Sequence, residues 1–208
     1  MRSRLDAMTS RPILLAALLA AVAPAAAMAQ AADPAAAQID SFDNSLLAVM
    51  KQAKSLGVQG RYRELQPAVE RTFDLPTMTR IAVGPKWTTV SPADQAALVK
   101  AFTRYSVAVY AKNFDGYDGE KFVLDPKVQS RGPDKLVHTQ LVAPHDKTHD
   151  FAYRMRQAAD GRWKVIDVYS DQISQLATNR SDFTSTMNSG GASALIRKLD
   201  ALADKQLR

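Results

Sequence analysis

Apolar positions along this chain change period twice. From Ile39 to Leu56 they recur at three- and four-residue steps (Ile39, Phe42, Leu46, Val49, Ala53, Leu56). That spacing predicts an amphipathic helix, with Gly57 as its stop. The stretch from Arg61 to Phe73 repeats the stripe through Tyr62, Leu65, Val69 and Phe73. Pro67 interrupts it, which predicts two short pieces or a helix that starts near the proline. Asp74 can cap a short third helix with Pro76 in its first turn, Met78 and Ile81 facing inward, and Gly84-Pro85 as its end. Ser91-Pro92-Ala93-Asp94 then supplies an N-cap hydroxyl, a proline at the first helical position and an acid at the third. The helix it opens carries Leu98, Phe102, Tyr105 and Val109 along one stripe and runs towards Phe114.

From Lys121 the period falls to two. Lys121 to Ser130 reads as a first strand, demoted to an edge or bulged position by Asp125-Pro126. Lys135 to Ile173 reads as three more, joined by the polar turn Pro144–Asp150 and by Ala158-Ala159-Asp160-Gly161. The middle run puts Phe151, Tyr153 and Met155 on one face and Ala152, Arg154 and Arg156 on the other. The last does not alternate: Trp163 and Val165 share a face, yet Ile166 and Val168 opposite them are also apolar, so this strand is expected to be covered on both sides. Helical spacing returns after Ser174, with Gly190-Gly191 separating a weakly amphipathic piece from a last helix carrying Leu195, Leu199 and Leu202. Helices, an antiparallel meander and helices again describe one α+β domain over residues 38–208.

The N-terminus falls outside that pattern. Arg2, Arg4 and Arg11 precede the short apolar run Ile13–Ala23, and Ala27-Met28-Ala29 forms a small-x-small site ahead of Gln30. Residues 1–29 are therefore expected to be a secretory signal peptide and residues 30–37 a flexible linker, with the working protein in the periplasm. The chain contains no cysteine, which excludes disulfides, thiol chemistry and a lipoprotein anchor. Its 27 basic and 21 acidic residues give a net charge of +6. No basic cluster is interleaved with aromatics, so nucleic acid is not an expected partner.

Four patterns raise the question of chemistry. His145-Asp146-x-x-His149-Asp150 has ligand-type residues, but it lies in a hairpin connection with no third element returning to it, and reads as a solvated polar turn. Asn113 to Glu120 fails the order of oxygen ligands in a calcium loop and is a helix stop. His138, on a strand face with Leu136 and Gln140, reads as a structural imidazole. Asp167 falls on the face of Trp163 and Val165 by strict alternation, where a lone carboxylate is costly to bury. A catalytic base is one explanation, a buried ion pair or backbone-amide acceptor the other. No metal and no cofactor are implied.

Two signatures carry a family resemblance. One is Phe73-Asp74-Leu75-x-x-Met78-x-Arg80-x-x-Val83-Gly84-x-x-Trp87, followed by Ser91-Pro92 and the long helix that ends near Tyr117-Asp118-Gly119-Glu120. The other is Tyr153-Arg154-Met155, a glycine turn, Trp163 to Val168, then Ile173-Ser174 and Asn179-Arg180-x-x-Phe183 closing at Gly190-Gly191. Together they resemble the MlaC/toluene-tolerance family of periplasmic lipid-binding proteins. Gly60-Arg61-Tyr62-Arg63, Arg131 to Lys135 and Ile173 to Leu176 resemble its hopanoid-locus subgroup, HpnM. The resemblance implies a twisted four-stranded antiparallel sheet, NTF2-like, wrapped by about six helices. Acyl chains are expected in an apolar cavity between them, and the carrier, a monomer, is expected to shuttle phospholipid or hopanoid between an outer-membrane lipoprotein complex and an inner-membrane ABC transporter. Cavity positions implied here are Ile81, Trp87, Phe102, Tyr105, Val109, Tyr153, Met155, Val165, Val168, Phe183 and Leu195. Where many relatives have glycine after the tryptophan strand, this chain reads Ser170-Asp171-Gln172-Ile173-Ser174, so a rebuilt turn is expected. Two rival classes stay open: an enzyme on an NTF2-like cavity with Asp167 or His138 as base, and a non-liganded adaptor of a hopanoid export complex.

Overall fold

Helix α1 (Pro34–Met50) starts inside the expected linker. Asp33 accepts a hydrogen bond from the Ala35 amide (2.9 Å) and Pro34 is pre-set for the first turn, so the helix is nucleated there. Ala35 and Ala36 are buried, which corrects the reading of Pro34–Ala37 as flexible linker. The computed structural model describes residues 33–208; the signal peptide expectation lies outside them.

Helix α2 (Ala53–Thr72) follows after a break at Lys51-Gln52. Gly57 does interrupt it, with φ 58° and ψ 176°, a backbone state open to glycine alone. Pro67 does not. The helix runs straight through it, because Pro67 and Arg63 are exposed and the carbonyl that the proline leaves without a donor can turn to water. Helix α3 (Leu75–Val83) begins at the expected cap, where Asp74 accepts from the Thr77 amide (3.0 Å), and passes at Gly84 into the 3-10 helix Gly84–Thr89. Helix α4 (Pro92–Asn113) is capped by Ser91 as its sequence predicts. Its buried face is set by Leu98, Ala101, Phe102, Val107, Ala108 and Ala111. Three alanines therefore carry much of the surface that meets α2 and the last helix, and the face is rotated away from Val109.

The sheet is antiparallel. Strands β1 (Lys121–Leu124) and β2 (Gln129–Arg131) are one predicted edge strand split at Asp125-Pro126, and both pair with β3 (Asp134–Val142). Next come β4 (His149–Gln157), β5 (Trp163–Ser170) and the two-residue β6 (Ile173–Ser174), in the order β1-β3-β4-β5-β6. The β4–β5 hairpin closes at Ala158–Gly161, with Gly161 at φ 80°.

Strict alternation fails on β5. Met155 pairs with Val165 but Arg154 pairs with Asp167, so Ile166 is an extra residue without a partner opposite. The bulge brings Val165 and Val168 to the same, helix-facing side and sends Asp167 to the other. Asp167 therefore does not share the face of Trp163 and Val165.

Helix α5 (Gln175–Gln206) ends the chain, broken at Gly191 (φ 66°, ψ −166°). Among the described residues, five helices with two glycine breaks thus stand where about six were expected. α1 crosses β1, β3 and β5, and α2, α3 and α5 meet β5. No helix among the described residues is long and apolar enough to cross a membrane.

Candidate functional site: the interior between sheet and helices

Seven of the expected cavity positions share one continuous apolar cluster: Tyr153, Met155, Val165 and Val168 from the sheet, Phe102 from α4, and Phe183 and Leu195 from α5, all buried. Ile81, Trp87 and Tyr105 are half-buried at its margin. Val109 is half-buried outside the cluster, because the α4 face turns on its alanines.

The centre of the cluster is aromatic. Phe42 from α1 packs edge-on against Phe73 (5.1 Å between centroids), Tyr110 (5.3 Å) and Tyr153 (6.3 Å), and Tyr110 stacks on Phe114 at 5.8 Å. Phe42 and Phe73 belonged to the helical stripes in the sequence. Tyr110 had no such signal, standing beside Val109 on a helix whose stripe was read from its large residues.

Coverage of the sheet is uneven. Leu141 on β3 and Phe151 on β4 point towards the helices and are near neighbours at one end of the sheet, yet both keep accessible surface. Phe122 and Leu124 on the edge strand do the same, as does Tyr110 despite three aromatic neighbours. The helices leave this end of the inner face partly uncovered. The opposite end is closed by Lys135, whose Nζ sits 4.4 Å from the Trp163 ring centroid and 2.6 Å from Asp33 Oδ2.

A carboxyl lies in this interior. Asp43, on α1 between Phe42 and Leu46, is only 3% exposed. Its Oδ2 lies 2.8 Å from Thr139 Oγ1 on β3, while Oδ1 has no hydrogen-bond partner at all. The Tyr110 and Tyr153 rings both pack edge-on against Phe42, its neighbour in the chain. Burial pushes the Asp43 carboxyl up to about 7, the Thr139 hydroxyl works against this, and the Asp40 charge adds to it. Burial also raises both tyrosines.

Residues 40–201 match the family model described as MlaC protein. The chain belongs to the MlaC family. Its fold is similar to that of a phospholipid-binding protein from Ralstonia solanacearum, solved in complex with a phospholipid, with a TM-score of 0.73 and 18% identity. The likeness spans 84% of this chain and 99% of the other. No curated protein matches the chain.

In this MlaC-family chain the suspected acid is accounted for by structure. Asp167 Oδ1 accepts from the Val168 amide (2.8 Å) and the Leu176 amide (3.4 Å), and Oδ2 accepts from Ser174 Oγ (2.7 Å). Ser174 is the N-cap of α5, so Asp167 ties the end of β5 to the start of that helix. These contacts are those of the backbone-amide acceptor. The turn between them places Asp171 at φ 48° and Gln172 at φ 70°, left-handed states that a glycine would adopt more easily. Asp171 is held there by its amide donating to Asp150 O (2.9 Å) and by Lys147 Nζ donating to its Oδ2 (3.2 Å).

The histidines stay apart. His138 stands on the outer face of the sheet, its Nε2 3.4 Å from Gln129 Nε2, and His149 lies 3.9 Å from Asp171. Among the described residues no three metal-ligating side chains of the His, Cys, Asp or Glu type converge. Two surface depressions accompany the interior. One, about 490 Å³, lies between α2, α4 and α5 over Tyr62, Ala101 and Ile196. The other, about 430 Å³, lies on the outer face of the sheet over Leu136, His138 and Ala152. None of the expected cavity residues lines either one.

Proposed function

We propose that this protein is a periplasmic lipid carrier that holds the apolar part of a phospholipid or hopanoid between the inner face of the sheet and the helices. It passes that lipid between the inner and outer membranes in partnership with an ABC transporter and an outer-membrane lipoprotein complex. The observation that carries the reading is membership of the MlaC family over residues 40–201. The likeness in fold to a protein solved with a phospholipid bound points the same way. Inside this chain, the support is Leu141 and Phe151, large apolar side chains that face the helices and remain accessible. A carrier works by burial: each methylene moved from water into such a site contributes about 0.8 kcal/mol, so no reacting group is needed. The eleven residues named from the resemblance are the proposed walls of the site, with Val109 on its outer margin. The HpnM-like segments favour a hopanoid as the cargo, and the protein acts as a monomer.

Detergent-free native mass spectrometry of the exported protein tests this. The expected result is a one-to-one complex with a mass matching a phospholipid or hopanoid. Leu141→Trp should stay folded and carry much less of it. Wild-type protein that neither retains lipid nor takes any up from phospholipid vesicles refutes the carrier.

A further inference from the structure

We propose that Asp43, together with the hydroxyls of Tyr110 and Tyr153, is a polar anchor inside the lipid site and receives a hydroxyl group carried on the apolar body of the ligand. The inference rests on the carrier reading and adds a ligand class to it: amphiphiles with a hydroxyl within their hydrophobic part, preferred over those with plain hydrocarbon.

The starting point is an unpaired atom. Buried polar atoms in folded proteins nearly always have a partner, and one without demands a reason. Asp43 Oδ1 is the buried side-chain atom without one among the described residues. No protein donor lies within hydrogen-bond distance of it. Thr139 is already engaged with Oδ2 and lies 3.3 Å from Val123 O, and the Tyr110 and Tyr153 rings pack edge-on against the neighbouring Phe42. The charged group that acts on Asp43 from its own helix is Asp40, which repels a negative charge there. The site therefore suits an uncharged donor, not a free anion, and offers no second carboxylate close enough to hold a cation.

Four elements build the anchor: α1 supplies Asp43, β3 Thr139, α4 Tyr110 and β4 Tyr153. Side chains that converge from four elements in an apolar interior hold a fixed position, which is what recognition of one hydroxyl requires. Access comes from the uncovered end of the sheet. Phe151 and Leu141 keep accessible surface there, and so does Tyr110, a member of the anchor. A straight acyl chain reaching this point would leave Oδ1 unpaired. A chain or ring system with a hydroxyl at that depth would pair it.

Matched probes test the idea on delipidated full-length mature protein. Stearate and its 2-, 12- and 18-hydroxy derivatives differ only in the presence and position of one hydroxyl. Each is titrated against a bound fluorescent fatty acid. One hydroxylated position is expected to bind about tenfold tighter than stearate, the effect of pairing one buried acceptor. The preference should vanish in Asp43→Leu and weaken in Tyr110→Phe. Intact tryptophan fluorescence and circular dichroism establish that the variants fold. Equal binding of all four probes to wild type overturns the anchor and leaves the carrier standing. A hydroxyl preference that survives Asp43→Leu also overturns it. If no probe binds while the protein takes up phospholipid from vesicles, the anchor falls and the carrier stands.

Discussion

Replacing Asp43 by asparagine isolates one buried proton. In the folded chain, burial holds this carboxyl up at about 7, against 3.8 for an unperturbed aspartate. As pH rises from 4 to 7, the unfolded chain gives up the Asp43 proton while the folded chain keeps it. The stability associated with the neutral carboxyl is thus complete below pH 4 and is lost as pH rises through 7. Each unit of separation is worth about 1.4 kcal/mol, so wild type should lose about 2–3 kcal/mol from this one group between pH 5 and pH 8. Asparagine cannot ionise. The new amide shifts stability by a constant, and every other titrating group is shared by both proteins and cancels. Urea unfolding of delipidated protein at pH 5, 6, 7 and 8 gives the comparison. The stability of Asp43→Asn minus that of wild type should climb by about 2–3 kcal/mol across the range and flatten above pH 7.5. A difference that stays constant within about 0.5 kcal/mol, or that falls with pH, refutes the neutral buried carboxyl.

Asp134 should behave with the opposite sign. Burial opposes ionisation, but hydrogen bonds from Arg156 and Arg154 hold the carboxyl below its usual value. Asp134→Asn should cost about 1–3 kcal/mol at pH 7, and the cost should shrink as pH falls below 4, measured in the same urea series. Gln172→Gly should raise stability by about 0.5–1 kcal/mol, since a left-handed residue gains more from losing its Cβ than the unfolded chain gains in freedom; a lowered melting temperature would contradict this. Gly191→Ala should cost about 1–3 kcal/mol, because φ 66° with ψ −166° is closed to alanine although a Cβ would meet nothing within 4 Å. Exported protein should begin at Gln30 or within a few residues of it by intact mass, and a retained Met1 would rule out the signal peptide.

Local chemistry explains which parts of this molecule were legible from sequence. Asp74 and Ser91 cap their helices because a side-chain oxygen and an amide three residues on are always within reach of each other. Asp125-Pro126 splits the edge strand because proline cannot donate to a ladder, whatever lies beside it. Gly57 and Gly191 break helices through their own dihedral freedom. Even Asp43 left a trace, since it stands four residues after Ile39 and three before Leu46, within the buried stripe.

Non-local pairing decided the rest. The bulge at Ile166 belongs to the match between two strands, not to either one, so alternation along β5 alone put Asp167 on the wrong face. The orientation of α4 depends on how closely alanines let neighbouring helices approach, and a stripe of large residues cannot report that. The bond between Asp43 and Thr139 joins positions 96 residues apart along the chain. Only the packed structure shows that Asp43 is buried and that one of its oxygens has been left without a partner.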